Sequence, residues 1–190
     1  MAEDKHNEFY SPLPRIMLTF LLVGIVGCIV FSVLYNESRW EWMFSCAITF
    51  GMIAYHMFIR YLSPVILVIV FHKKYDYKFW WFKQKKWESN LYRMIKVKQW
   101  KGKVIAYNPS EFSMKVHSLQ EIVNNMCHAE LVHEFIVLLS FTSLLFSIPF
   151  ESFPAFLITA CIAALFDIIF VVLQRYNRPR MIKLMERKSH

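Results

Sequence analysis

Glu130, His133 and Glu134 stand at positions i, i+3 and i+4, so a helix places all three on one face. A carboxylate bonded to one imidazole nitrogen fixes the tautomer and leaves the other nitrogen to act as a base. Glu130 and His133 are therefore the leading catalytic candidates, with Met126, Cys127 and Val137 sharing their face and His128 pointing the opposite way. The plain alternative is a helix start whose charges lie in solvent.

Two further groups qualify because ionisable side chains inside a spanning helix cost about 2.5–3.5 kcal/mol at its centre on insertion scales. Thr49, His56, Arg60 and Ser63 fall on one narrow stripe at roughly 100° per residue, which must face protein or water. Arg60 can snorkel toward an interface; His56 cannot, and is the third catalytic candidate, with a satisfied structural histidine as its alternative. Near the end of the chain, Asp167 and Gln174 share a helix face, and Arg175, Asn177, Arg178 and Arg180 crowd around Pro179. Guanidinium forks suit phosphates, lipid headgroups or an acyl donor, and ordinary anchoring at a membrane surface accounts for the same charges.

Several chemistries lack their residues. No Gly-x-Ser-x-Gly elbow occurs, and His72 to Asp76 is one residue short of the His-x4-Asp spacing of soluble glycerolipid acyltransferases. Cys28, Cys46, Cys127 and Cys161 form no CxxC pair or zinc-ligand spacing. Glu-x-x-His appears once, whereas di-iron bundles use two copies and two more glutamates. No metal and no cofactor is expected, and direct transfer assisted by a base fits the residues better than a covalent route. A metal-dependent enzyme using His56, Glu130 and His133 stands as an alternative.

The elements that must position these residues are membrane-spanning. The chain is 56% hydrophobic and 17% aromatic over 190 residues, which suits a single all-α membrane domain and no separate soluble one. A bilayer core needs roughly 20 apolar residues per helix, and such runs occur at about 16–35, 44–71, 135–150 and 153–173. The second run contains Pro64, so a kink or a re-entrant end is open. The first lacks a small-residue cleavage pattern and reads as a retained anchor, in which Gly24, Gly27 and Cys28 permit close helix approach.

Residues 72–117 hold twelve Lys or Arg and the tail from Arg175 holds six, whereas the loops 36–43 and 148–152 hold one between them. The positive-inside bias therefore places the long segment and both termini in the cytoplasm. Within Tyr75–Lys101, nine aromatic residues, Trp87 and Trp100 among them, interleave with eight cations. That mixture suits an anionic headgroup layer; no nucleic-acid partner is expected for a segment tethered between two spans. A loop should follow around Tyr107-Asn108-Pro109-Ser110, and Ser118-Leu119-Gln120-Glu121 has the spacing of a capping box that opens a helix.

Five motifs in one order carry a family resemblance over roughly Phe79 to Arg180. They are Trp81-Phe82-Lys83-Gln84-Lys85-Lys86-Trp87-Glu88, Tyr92-Arg93, Val97-Lys98-Gln99-Trp100-Lys101, Ala129-Glu130-Leu131-Val132-His133, and Gln174-Arg175-Tyr176-Asn177-Arg178-Pro179-Arg180. Together they resemble the glycosyl-4,4'-diaponeurosporenoate acyltransferase family, small bacterial membrane proteins of staphyloxanthin-type carotenoid synthesis. The chain departs from that pattern at His128, where an Arg is expected, and at Glu134, where an aromatic is expected.

The resemblance implies transfer of a fatty acyl group from a donor to a sugar hydroxyl of a glycosylated C30 carotenoid at the cytoplasmic membrane. Combined with the residues, the expectation is that His133 deprotonates the acceptor hydroxyl and Glu130 orients it. Arg60, Arg175, Arg178 and Arg180 would steady the donor or the oxyanion, with His56, Asn177, Trp87 and Trp100 as further site residues. A non-enzymatic module that binds a lipid or a protein partner is the alternative from another class.

Overall fold

The computed structural model describes residues 10–151 and 153–188; most of the chain before the first expected span, and Ser152 in the expected loop 148–152, lie outside them. Among the described residues seven α-helices run in chain order: α1 Leu13–Ser38, α2 Glu41–Phe71, α3 Glu88–Met94, α4 Val97–Trp100, α5 Leu119–Thr142, α6 Ser147–Phe150 and α7 Phe153–Lys188. There is no strand among the described residues. Among them four helical segments, Leu13–Ser38, Glu41–Phe71, Leu119–Phe150 and Phe153–Lys188, are long and apolar enough to cross a membrane, as the hydropathy predicts.

The helices exceed their apolar runs. α2 passes through Pro64 without ending, so the second span is one continuous helix. Arg39 and Trp40 alone separate α1 from α2, and the wider loop expected at 36–43 is mostly helical. α7 continues through Pro179 to Lys188, so the arginine-rich segment is helix rather than tail. Proline donates no amide hydrogen to the fourth carbonyl before it. In α7 that carbonyl belongs to Arg175, whose side chain is heavily engaged elsewhere.

The residues fall into two compact units. One gathers Pro14–Val65 and Phe135–Phe166; the other gathers Ile66–Glu134 with the described parts of Met1–Leu13 and Asp167–His190.

In the first unit α1 buries only Gly24 and exposes Leu18, Leu22, Val26, Ile29 and Val33, a surface whose natural solvent is lipid. The expected close approach is made against α2: a Cβ built on Gly24 would stand 2.8 Å from the Ala54 amide nitrogen, and one on Gly27 would meet the Phe50 ring at 2.5 Å. Tyr55 donates to the Leu139 carbonyl at 2.8 Å. The buried hydroxyls of Ser63, Ser140 and Ser143 donate to carbonyls of their own helices, the economical solution where water is excluded. Arg60 donates to the His56 carbonyl at 2.6 Å and lies over the Phe166 ring.

The second unit has its core at Phe82, Tyr92, Val97, Ile122, Val123 and Cys127. Its α5 opens with the expected capping box: Glu121 accepts from the Ser118 amide at 2.8 Å, and the Glu121 amide donates to Ser118 Oγ at 3.3 Å. Lys96 takes a left-handed conformation, φ 52°, between α3 and α4.

The contact at Gly24 is backbone against backbone and has no room to yield. Gly24→Val should lower thermal stability in detergent by about 1–3 kcal/mol through overpacking. Gly102→Ala, where a Cβ meets nothing within 4 Å, should leave the melt unchanged.

Candidate active site

In the second unit, α5 carries Glu130, His133 and Glu134, α7 carries Asp167, Arg175 and Arg178, and the segment before α3 supplies Trp81, Phe82 and Glu88. Burial of the α5 face follows from its residues: Val123, Met126, Cys127 and Glu130 recur at helical spacing and are all buried. A carboxylate on such a face requires a counter-charge.

Two arginines provide it. Arg175 donates to Glu130 Oε1 at 2.6 Å and, through two nitrogens, to Glu88 Oε1 at 2.7 and 3.1 Å. Arg178 donates to Glu130 Oε2 and to the Phe82 carbonyl, with its guanidinium over the Phe82 ring at 5.1 Å. Arg175 also reaches the carbonyls of Trp81 and Lys83 at 3.2 and 3.4 Å. Three consecutive backbone carbonyls of the aromatic-basic segment are thus held by two side chains of α7.

Glu88 completes the set. Its Oε2 accepts from Tyr92 at 2.8 Å. Burial, and then the carboxylate itself, push the Tyr92 phenol well above its ordinary value, so the hydroxyl stays protonated and donates. Two acids and two guanidiniums make a buried group with no net charge.

His133 is held otherwise than its spacing predicts. Its Nδ1 pairs with Asp167 Oδ1 at 2.9 Å, and its ring stacks on Phe170 of α7 at 4.6 Å. Glu130 does not orient it, because both Glu130 oxygens are taken by guanidiniums that bind a carboxylate more strongly than a neutral imidazole does. Asp167 is 1% exposed and the His133 side chain 23%. A buried carboxylate on Nδ1 selects the tautomer with hydrogen there and a lone pair on Nε2, and Nε2 makes no hydrogen bond among the described residues.

Glu134 accepts from Trp81 Nε1 at 2.8 Å and lies 4.0 Å from Arg175. Asn177, Arg180 and Trp100 of this unit bond elsewhere than to Glu88, Glu130, Arg175 or Arg178. Asn177 accepts from Lys101 Nζ at 3.0 Å, and Arg180 stacks on Tyr176 and donates to its hydroxyl at 2.7 Å. Trp87 is exposed, and Trp100 donates to the Ile95 carbonyl at 2.9 Å. His56 and Arg60 belong to the other unit. Arg178, 1% exposed and engaged on both terminal nitrogens, turns no face to a ligand.

Among the described residues no three His, Cys, Asp or Glu side chains are grouped to hold a metal ion. Glu130 could not serve as a ligand while two guanidiniums occupy it. Glu88, Tyr92 and the Trp81–Glu134 bond were not apparent from spacing, although Glu88 is one of only two acids in a strongly basic run. An acid that persists among cations is itself a sign of pairing.

Four spanning helices with a buried polar cluster on α5 and α7 define a polytopic helical membrane protein whose polar residues are organised rather than scattered. The chain belongs to the glycosyl-4,4'-diaponeurosporenoate acyltransferase family, whose model matches residues 78–187, and it is an acyltransferase of carotenoid biosynthesis. No curated protein and no solved structure matches it significantly. The matched region contains Glu88, Glu130, His133, Asp167, Arg175 and Arg178 and excludes His56 and Arg60. Family membership also sets aside the non-enzymatic binding module.

Deleting one member of the buried quartet strands a charge, at a cost of about 3–5 kcal/mol. Arg178→Ala should therefore abolish recovery of monodisperse, folded protein. Glu130→Gln/Arg178→Met, which removes both charges, should regain most of the thermal midpoint.

Proposed function

We propose that this acyltransferase moves a fatty acyl group onto a sugar hydroxyl of a glycosylated carotenoid or related glycolipid at the inner leaflet, with His133 as the general base. The observation that carries this reading is the His133–Asp167 pair: a buried carboxylate on Nδ1 of a partly exposed imidazole whose Nε2 makes no hydrogen bond among the described residues. The reaction needs that arrangement. Nε2 accepts the proton of the acceptor hydroxyl as its oxygen attacks the acyl carbonyl. The tetrahedral oxyanion then collapses, the bond to the donor breaks, and the proton on Nε2 passes to the departing group. Asp167 holds the imidazole and favours its charged form during the step, without taking the proton itself.

The arginines divide in this reading. Arg175 and Arg178 keep the aromatic-basic segment on α5 and α7, leaving Arg180, Asn177 and Lys101 on the more open side to meet the donor. His56 and Arg60 serve the packing of their own helices. Lys and Arg concentrated in residues 72–117 and after Arg175 support a cytoplasmic position for that segment and for both termini. Exposed Phe79, Trp80 and Trp87 among lysines suit the anionic headgroup layer.

The test is esterified pigment in cells that make the glycosylated carotenoid and are fed labelled fatty acid. His133→Ala and Asp167→Asn should each lower it about 10²- to 10⁴-fold at wild-type protein levels in the membrane. Full activity in a folded His133→Ala protein would remove His133 from the mechanism and leave the family assignment standing.

A further inference from the structure

A second polar site lies in the same unit, turned away from His133. An open groove of about 670 Å³ is lined by Lys73, Lys74, Asp76, Glu111, Gln120 and Asn125, with Tyr75 and Asn124 in its wall. Asn124 stands nine residues before His133 on α5, about 180° round the helix, so the groove is not the mouth of the catalytic site.

Its wall is firmly held. Asn124 donates to the Lys73 carbonyl at 2.7 Å and accepts from the Tyr75 amide at 3.0 Å, clamping the chain where His72 and Lys73 take left-handed conformations at φ 51° and 53°. Tyr75 Oη lies 2.7 Å from His128 Nδ1. Burial raises the Tyr75 phenol to about 12, so the hydroxyl stays protonated and is spent on His128. Asn125 donates to the Glu111 carbonyl at 2.9 Å.

The charged tips are not spent. Among the described residues the ammonium groups of Lys73 and Lys74 and the carboxylate of Glu111 make no hydrogen bond or ion pair. Asp76 uses only Oδ1, which accepts from the Lys78 amide at 2.9 Å. The groove therefore offers cations and carboxylates together. A simple anion would meet Asp76 and Glu111, and a simple cation would meet the two lysines.

We propose that this groove binds a phospholipid headgroup carrying both a phosphate and a primary ammonium. Lys73 and Lys74 take the phosphate; Glu111, Asp76 and the Gln120 amide oxygen accept from the ammonium. Lys73 and Lys74 follow within three residues of Phe71, the end of a spanning helix, which is the level of lipid headgroups. A quaternary ammonium has no N–H for these acceptors and is recognised by a cage of aromatic faces, to which this groove offers Tyr75 alone.

The experiment is native mass spectrometry of the full-length protein in detergent micelles with added phosphatidylethanolamine, phosphatidylcholine or phosphatidylglycerol. Phosphatidylethanolamine should be retained about tenfold above the other two. Lys73→Gln/Lys74→Gln and Asp76→Asn/Glu111→Gln should each bring it down to the level of phosphatidylcholine, with unchanged thermal midpoints. Equal retention of the three lipids, preference for phosphatidylglycerol, or undiminished selectivity in both folded variants overturns the proposal. Should the variants fail to fold, the wild-type selectivity decides alone. Displacement by equimolar soluble glycerophosphoethanolamine would place the ligand in solution and overturn the lipid source.

Discussion

The constraint on which the rest of the second unit depends is the burial of Glu130. A carboxylate at 0% exposure on an otherwise apolar helix face is tolerable only with its charge balanced and its lone pairs filled. Arg178 supplies one balance and Arg175 a second, and Arg175 in turn requires Glu88. That chain of requirements ties α7, α5 and the segment before α3 together through directional bonds. Apolar contact alone would leave the relative register of these elements poorly defined, because lipid tails satisfy a leucine as well as a neighbouring helix does.

Because Glu130 is consumed in this way, the orientation of His133 falls to another helix. Asp167 is the lone acid between Phe153 and Gln174, and such a residue in an apolar helix needs a polar partner. The imidazole fits: it bonds the carboxylate through one nitrogen, packs its face on Phe170, and keeps the other nitrogen clear of hydrogen bonds among the described residues. The proposed base and its orienting group thus come from two helices, which the same quartet binds together. The ion-paired quartet and the proposed His133–Asp167 pair are separate sets of side chains.

Much of this was legible in the residues. Apolar run lengths located four spans, the Ser118–Glu121 spacing located the start of α5, and Gly24 with Gly27 marked a close helix contact. The candidate set contained Glu130, His133, Arg175 and Arg178, and Asp167 was noted as a span acid. What spacing could not supply was the pairing. On one helix Glu130 and His133 are obvious neighbours, but the interactions that win are between helices: one charged contact from each of two guanidiniums outcompetes a carboxylate–imidazole bond for Glu130, and Asp167 lies 34 residues from His133. Helix ends were missed for a related reason. Hydropathy reports where a helix leaves lipid, whereas α5 and α7 continue beyond that boundary because tertiary ion pairs and the capping box favour helix there as well.

The use of glycine and proline follows from the same division of labour. None of the glycines has positive φ; the left-handed positions among the described residues are Arg39, His72, Lys73, Lys96 and Glu151, all at helix ends or junctions. Gly24, Gly27 and Gly51 lie instead inside spanning helices, where Gly24 and Gly27 allow close approach without a Cβ. Each left-handed residue other than glycine costs on the order of 1 kcal/mol, a cost tolerated here where all five side chains are polar and exposed. At His72 and Lys73 it is offset by Asn124, which bonds the carbonyl and the amide on either side of the turn. Pro179 belongs to the same pattern: the amide bond it denies to α7 falls at Arg175, where the side chain alone makes contacts to Glu88, Glu130 and two carbonyls. The helix can lose one backbone bond there because α7 is held at that turn by its arginines.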